Sequence, residues 1–486
     1  MSPLYKVWTK GGYKSKEREH LMTQTEDERC TKLVDKLRQE MNAEHKIHAD
    51  PNYLRLWNER LILNYIRKTG LASRSDIVLA TGLTRSAVGN IIPSLKEQGF
   101  VKEEMEESST GGRPASEVRF RGNVGYIIGV DIGRSHLTVI ITDLEAKGID
   151  GTSPSELAED MEKFREDKKG LPLWLFTDGN FDAERGAEVC LPEVADKVRE
   201  LVQKNAINWK HVVGIGIGLP GTHDKHRTRL ARAKMMEGWS EVDIPDTLRI
   251  LLRLKDPRKI PIYLDNDANL GALGESRYGT GRGKMDIAFV KIGTGIGAGI
   301  VLDGKLHHGH RSIAGEFGHQ IIDLALNRAL DSTSEKLPCC VGCGNKGCLE
   351  ALVAESAIVR HAGLNAASTE KKPDIEEVIR QAKNNNEQCQ EALAQAGEYI
   401  GTAVANLISL LDPELVILAG HVTHEAQNYD LFIKSLRKQA NLCVPAARGT
   451  EIEIGALRHY SVAYGAVAQV MDEAFRAPVL SDIRQV

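Results

Sequence analysis

Residues 287–302 read IAFVKIGTGIGAGIVL: an apolar strand, Ile287–Ile292, runs into the turn Gly293-Thr294-Gly295-Ile296-Gly297 and leaves through a second strand, Ala298–Leu302. About 160 residues earlier the same device occurs, with Tyr126–Val130 entering Asp131-Ile132-Gly133-Arg134-Ser135 and Leu137–Thr142 leaving it. Short apolar, β-branched runs punctuated by glycine are the pattern of buried strands joined by tight turns. Two copies of one strand–turn–strand unit predict a duplicated α/β fold, two lobes with a cleft between them.

Upstream of the first copy the texture is helical. Leu54, Trp57, Leu61, Ile62, Tyr65 and Ile66 recur at helical spacing, and Gly70 stops them. A short helix over about 75–80 ends at Thr81-Gly82-Leu83. Thr84 then caps a third helix with Val88, Ile91, Ile92 and Leu95 on one face, closed by Gly99. Phe100–Glu104 and Glu117–Phe120 read as strands around the loop Ser108–Pro114. Three helices followed by a hairpin predict a winged helix-turn-helix. Its third helix enters a major groove with Arg85, Ser86, Gly89 and Asn90 foremost. Arginine suits guanine and asparagine suits adenine by bidentate geometry. Arg113, in the turn Gly111-Gly112-Arg113-Pro114, suits the minor groove. Arg74, Lys96 and Arg119 suit phosphates. Pro93 falls inside the third helix, past the base-reading positions.

The bulk figures bound the rest. A chain of 486 residues is expected to form two or three domains, and a net charge of -4 makes no polyanion binder of the whole. No apolar run approaches the roughly 20 residues of a membrane span, and Met1–Glu19 has no apolar core of a secretory signal, so the expected setting is the cytoplasm. Residues 1–50 read as a charged extension, and 151–185 as a polar inserted loop. Four of the eight cysteines, Cys339, Cys340, Cys343 and Cys348, fall within ten residues, which suggests a metal rather than a disulfide framework.

Further motifs follow in order: GIGIGLPG at 214–221, LDNDAN at 264–269, AGEFGH at 314–319, CGNKGCLE at 343–350 and PELVILAG at 413–420. Together these resemble the ROK family of repressors, open reading frames and sugar kinases, over about residues 52–475. The resemblance implies a two-lobed actin-like, sugar-kinase-like (ribonuclease H-like) domain at 123–486 behind a winged helix-turn-helix at 51–122. Lobe 1 would span about 123–265 plus the C-terminal helix, and lobe 2 about 266–465. It implies Asn266, Asp267, Glu316, His319 and Glu350 as sugar ligands. In kinase members the position of Asp267 is the general base. A structural zinc is implied, held by His319, Cys343, Cys348 and a third cysteine. The family's first cysteine falls on Val341, so Cys340 is taken in its place, with Cys339 as the alternative and 324–337 as an apparent insertion.

Asp131, Gly133 and Ser135, with Gly293, Thr294 and Gly295, match the nucleotide-phosphate loops of the kinases. Arg134 stands where those enzymes have a second glycine, and Ala419-Gly420-His421 departs from their paired glycines. The chain is therefore expected to be a sugar-responsive transcriptional regulator of carbohydrate metabolism. That reading makes it a repressor acting as a homodimer or tetramer on operator DNA. The alternative is an ATP- and Mg2+-dependent kinase phosphorylating a hexose or N-acetylhexosamine, with Asp267 as base and an appended DNA-binding domain.

Overall fold

The computed structural model describes residues 31, 35, 51–105, 116–146, 174–224, 226–232, 236–253, 260–323, 339–364, 373–427, 429–444 and 449–476. Most of the N-terminal extension, the loop carrying Arg113, and the apparent insertion at 324–337 lie outside them. Contacts divide the chain into two units. One comprises Met1–Gly125, Asn208–Val213 and Ala474–Val486; the other comprises Tyr126–Ile207 and Gly214–Glu473. Among the described residues no helix is long and apolar enough to cross a membrane.

The first unit runs α1 (Pro51–Thr69), β1 (Leu71–Ser73), α2 (Arg74–Thr81), α3 (Arg85–Glu97), β2 (Val101–Met105) and β3 (Ser116–Phe120). Ser73 starts α2 through a capping box: its hydroxyl accepts from Asp76 N at 3.1 Å, and Asp76 Oδ2 accepts from Ser73 N at 3.1 Å. Gly82, at φ 69°, supplies the left-handed residue that ends α2. Thr84 accepts from Ala87 N at 3.2 Å and starts α3. Ile62, Leu63, Ile66, Ile77, Val88, Ile92 and Leu95 are all buried, so the three helices share one core. Phe100 and Phe120 meet Phe475 edge-to-face at 6.1 and 5.8 Å between centroids. The sheet order is β1-β3-β2, all antiparallel. The three-residue β1 was not expected from sequence. Exchanging Ser73 for alanine is expected to cost about 1 kcal/mol, read as a lowered denaturant midpoint. An unchanged midpoint would mean that the box does not hold α2.

The second unit is built on two sheets. The first takes β4 (Tyr126–Ile132), β5 (Leu137–Asp143), β6 (Trp174–Asp178), β7 (Val212–Leu219) and β10 (Ile262–Asn266), with a small hairpin, β8 (Thr222–His223) and β9 (Leu230–Arg232), between β7 and β10. The second takes β11 (Ile287–Ile292), β12 (Ile296–Leu302), β13 (Lys305–Leu306), β14 (Leu415–Ala419) and β15 (Glu451–Ile454). Their spatial orders are β6-β5-β4-β7-β10 and β13-β12-β11-β14-β15. Numbered by appearance, both are 3-2-1-4-5. In each the first three strands are antiparallel, and the last two run parallel to each other. The sequence duplication is thus a duplication of sheets. One expectation is corrected: 174–178, inside the stretch read as an inserted loop, is the edge strand β6, with Phe176 opposite Val139 of β5. Its five residues are too few to show a period beside so many charges.

Four longer helices of this unit matter below: α4 (Ala187–Lys204), α5 (Asp267–Tyr278), α6 (Glu387–Leu411) and α7 (Leu431–Cys443). A last helix, α8, spans Ser461–Ala474. Glycines let α5 and α8 cross in backbone contact, since a Cβ on Gly465 would lie 1.7 Å from Leu270 O and one on Gly274 2.2 Å from Ser461 O. That crossing fixes α5, whose N-terminus carries Asn266 and Asp267.

Candidate functional site

β10 ends at Asp265-Asn266-Asp267, where the chain turns into α5. In an open α/β sheet the carboxyl end of a parallel strand is where ligands meet the fold. Asn266 is the helix cap, its side-chain oxygen accepting from Ala268 N at 2.8 Å and Asn269 N at 3.2 Å. Its amide also donates to Gly221 O at 3.0 Å, so the side chain is held by both β10 and the loop after β7. Asp267 receives Lys291 Nζ on Oδ2 at 2.7 Å.

Asp265, buried just before them, organises the surroundings. Its carboxylate accepts from Arg227 NH1 at 2.8 Å and Asn269 Nδ2 at 3.0 Å, and pairs with His308 Nε2 at 2.7 Å. Burial pushes this carboxyl up, but His308, Arg227 and Asn269 outweigh it and hold it at about 2. His223, on β8, is also buried, has no hydrogen-bond partner for Nε2, and is driven down to about 4 by burial. The sequence reading missed Asp265, Arg227, His223 and His308. Only Asp265, adjoining a motif, carried a signal that could have found it.

The first phosphate-type loop is closed by its own side chains. Gly133 N donates to His136 O at 2.9 Å, and His136 Nε2 reaches Asp131 Oδ2 at 3.0 Å. A Cβ on Gly133 would sit 2.0 Å from the His136 ring. Burial pushes the Asp131 carboxyl up, but His136, Lys291 and His459 together leave it below its ordinary value. Arg134, in place of the kinases' second glycine, brings a long side chain to the start of this turn. Its guanidinium pairs with Glu184 at 2.5 Å, and the imidazole of His136 is what covers the turn. At the second loop Gly293 N donates to Gly295 O at 3.1 Å, and Glu350 Oε2 accepts from Ile296 N at 2.9 Å. His421 Nδ1 lies 3.3 Å from Glu355 Oε2, whose backbone N donates to Gly293 O at 2.9 Å.

Glu316 and His319 sit on a turn pressed against β12: Gly315 has φ +90°, and a Cβ there would lie 1.9 Å from Ala298 O. His319 Nε2 is 3.5 Å from Glu316 Oε2, and its Nδ1 is 3.7 Å from Cys340 Sγ. Cys340 Sγ donates to Glu350 Oε1 at 3.1 Å, and Cys343 and Cys348 approach at 3.9 Å. One ligand atom from each of His319, Cys340, Cys343 and Cys348 lies within 4.8 Å of the others. Cys339 is exposed and outside this group. The Cys340 thiol is pushed up to about 12, by the Cys348 thiol first and then by burial. Crowded thiols oppose one another's ionisation, and a divalent cation is what allows them to ionise together. The donor set is therefore that of a Cys3His metal site.

On the first unit, Arg85, Ser86 and Asn90 are exposed on α3, whereas Val88, Ile92 and Leu95 are buried. Among the described residues, no neighbouring group beyond the helix's own backbone lies within 4 Å of a Cβ built on Gly89, so the space there is open. The cations assigned to phosphates are paired within the chain. Arg74 and Lys96 meet Glu103 at 2.6 and 2.8 Å, and Arg119 meets Glu104 at 2.9 Å.

Comparison with known proteins follows this geometry. The ROK family model matches residues 180–473. A xylose repressor of Caldicellulosiruptor bescii is 28% identical over 438 residues, covering 87% of this chain and 97% of its own length. A glucokinase of Halalkalibacterium halodurans is 27% identical over 287 residues, covering 56% of this chain and 80% of that enzyme. A solved ROK family transcriptional regulator, described as a homologue of the Escherichia coli MLC protein, superposes with a TM-score of 0.65. It is 20% identical and covers 87% of this chain and 98% of its own, a likeness of fold.

Proposed function

The chain belongs to the ROK family, and from that premise we propose that it is a sugar-responsive transcriptional regulator, a repressor whose operator affinity changes when a sugar binds. The observation that carries this is coverage. Similarity to the xylose repressor spans 87% of the chain, more than the sugar-kinase-like segment 123–486 alone contains, whereas the glucokinase match spans 56%. The residue roles follow the family. Asn266, Asp267, Glu316, His319 and Glu350 bind the sugar. Zn2+, held by His319, Cys340, Cys343 and Cys348, sets the position of His319 and activates no water. Arg85, Ser86, Asn90 and Arg113 read DNA. A dimer or tetramer in the cytoplasm presents two winged helices to one operator, and lobe closure on the sugar alters their spacing.

ATP has no place in this reading. His136 covers the loop of Asp131, Gly133 and Ser135, and Asp267 is tied to Lys291, so Gly293, Thr294 and Gly295 remain as structure without phosphoryl transfer.

The test selects bound genomic DNA fragments with and without a sugar panel that starts with xylose, the sugar of the similar repressors. One sugar is expected to release a defined set of fragments, with no sugar-dependent ADP formation from ATP. Fragments indifferent to every sugar would overturn the sensor. ADP release abolished by Asp267→Asn would make the kinase the better reading.

A further inference from the structure

Lys291 enters the reading above only as the partner of Asp267, and its setting is unlike that of a surface lysine. It lies on β11, where Ile287, Ala288, Phe289, Val290 and Ile292 are all buried, two residues before the Gly293 turn. Its ammonium is 2.7 Å from Asp267 Oδ2, and the two side chains are only 22% and 14% exposed.

The other lobe contributes a second carboxylate. Asp131 of β4 acts on the same ammonium, and its side chain is 2% exposed. One Asp131 oxygen takes His136, while the other has no hydrogen-bond partner among the described residues. His459 lies in the turn just before α8. Burial first, then His421, His136, Arg458 and Lys291, bring its imidazole down to about 4, so it carries no charge at neutral pH. Burial opposes the Lys291 charge, but Asp267 and Asp131 together raise it above its ordinary value. Lys291 is thus the charged partner shared by two sequestered carboxylates, one from each lobe.

We propose that Lys291 is a tethered counter-cation. It holds the Asp267 carboxylate as an acceptor for a ligand hydroxyl, and it supplies from the chain itself the positive charge beside Asp267 that the metal of a metal–nucleotide complex would otherwise bring. A carboxylate with its charge committed to an ammonium is a weak general base. One residue therefore favours recognition over phosphoryl transfer and makes ligand binding independent of Mg2+. The recognition half rests on the sugar-binding reading above; the counter-cation half does not.

The two halves separate in one set of measurements on the full chain. Thermal unfolding of wild type, Lys291→Met and Lys291→Arg is followed from pH 5 to pH 8, with and without Mg2+, and sugar titrations are run beside it. In wild type the folded pKa of Asp131 is depressed, so its contribution is present above the unfolded value and is lost only as pH falls towards it. Without the ammonium, Asp131 loses one of the charges that offset its burial, and burial then carries its folded pKa above the unfolded one. The folded state then binds more protons, and stability falls as pH rises.

K291M is therefore expected to melt several degrees below wild type at pH 8, to recover towards pH 5, and to gain Tm with Mg2+, a hard cation suited to carboxylates rather than thiolates. Wild type and K291R should ignore Mg2+. Should K291M fail to fold, the double variant with Asp267→Asn is expected to restore folding by removing the stranded charge. A K291M profile that tracks wild type at every pH and ignores Mg2+ would overturn the proposal, and so would a double variant that stays unfolded. Absence of sugar binding in wild type would overturn the sugar reading alone.

Discussion

Converting Cys348 to serine is expected to take bound metal from one ion per chain to background and to weaken sugar binding by about 10–100-fold, the range for losing a group that orients a ligand. Cys348 is wholly buried, caps the short helix Leu349–Val353, and forms a bridge with Ile321. Serine keeps the shape but cannot supply a thiolate, and three remaining donors do not close a tetrahedral site. Without the ion, His319 Nδ1 and Glu350 Oε1 keep only the Cys340 thiol, at 3.7 and 3.1 Å, and are no longer fixed by a closed metal site. Both carry proposed sugar contacts, so metal and sugar should be lost together. Cys339→Ser is the control: that cysteine is exposed and outside the cluster, and metal content should not change. Retained metal in the Cys348 variant, or lost metal in the Cys339 variant, would show the site to be assigned wrongly.

What could be read from the sequence depended on whether a signal repeated. The helices of the first unit announced themselves through Gly70, Thr84 and the apolar face of Val88, Ile92 and Leu95, because caps and periodicity are local chemistry. The duplicated sheets were legible because two glycine turns interrupt two apolar runs. The strands β1 and β6, with three and five residues, are too short to establish a period, and pairing with β3 and β5 makes them strands. Tertiary pairing overrides local propensity there.

Single charged side chains are harder still. Lys291 in sequence is one polar residue spoiling a strand, and His136 is one residue past a motif. Their partners, Asp267 and Asp131, are 24 and five residues away. Arg134 marks in the sequence where the first loop differs from the kinases' glycines, but the side chain that lies over the turn is that of His136. The long guanidinium reaches away to Glu184, while the shorter imidazole lies against Gly133 and pairs with Asp131.

Alanine at Arg85 and at Asn90 is expected to weaken operator binding by about 1–3 kcal/mol each, roughly 5- to 150-fold, and to relax discrimination at the bases they meet. Both are exposed on α3, while Val88, Ile92 and Leu95 are buried and keep the helix docked, so folding should be unaffected. The measurement is affinity for operator and scrambled duplex at several salt concentrations. A base contact changes the ratio of the two affinities, whereas a phosphate contact changes both together with the salt slope. Glu103→Gln supplies the contrast. Glu103 holds Arg74 and Lys96 in partly exposed ion pairs of the kind worth at most about 1 kcal/mol. Releasing them should tighten binding to both duplexes and steepen the salt dependence, leaving the ratio unchanged. Equal losses on operator and scrambled DNA in the Arg85 and Asn90 variants would make α3 a backbone clamp. Specificity would then have to come from the wing that carries Arg113.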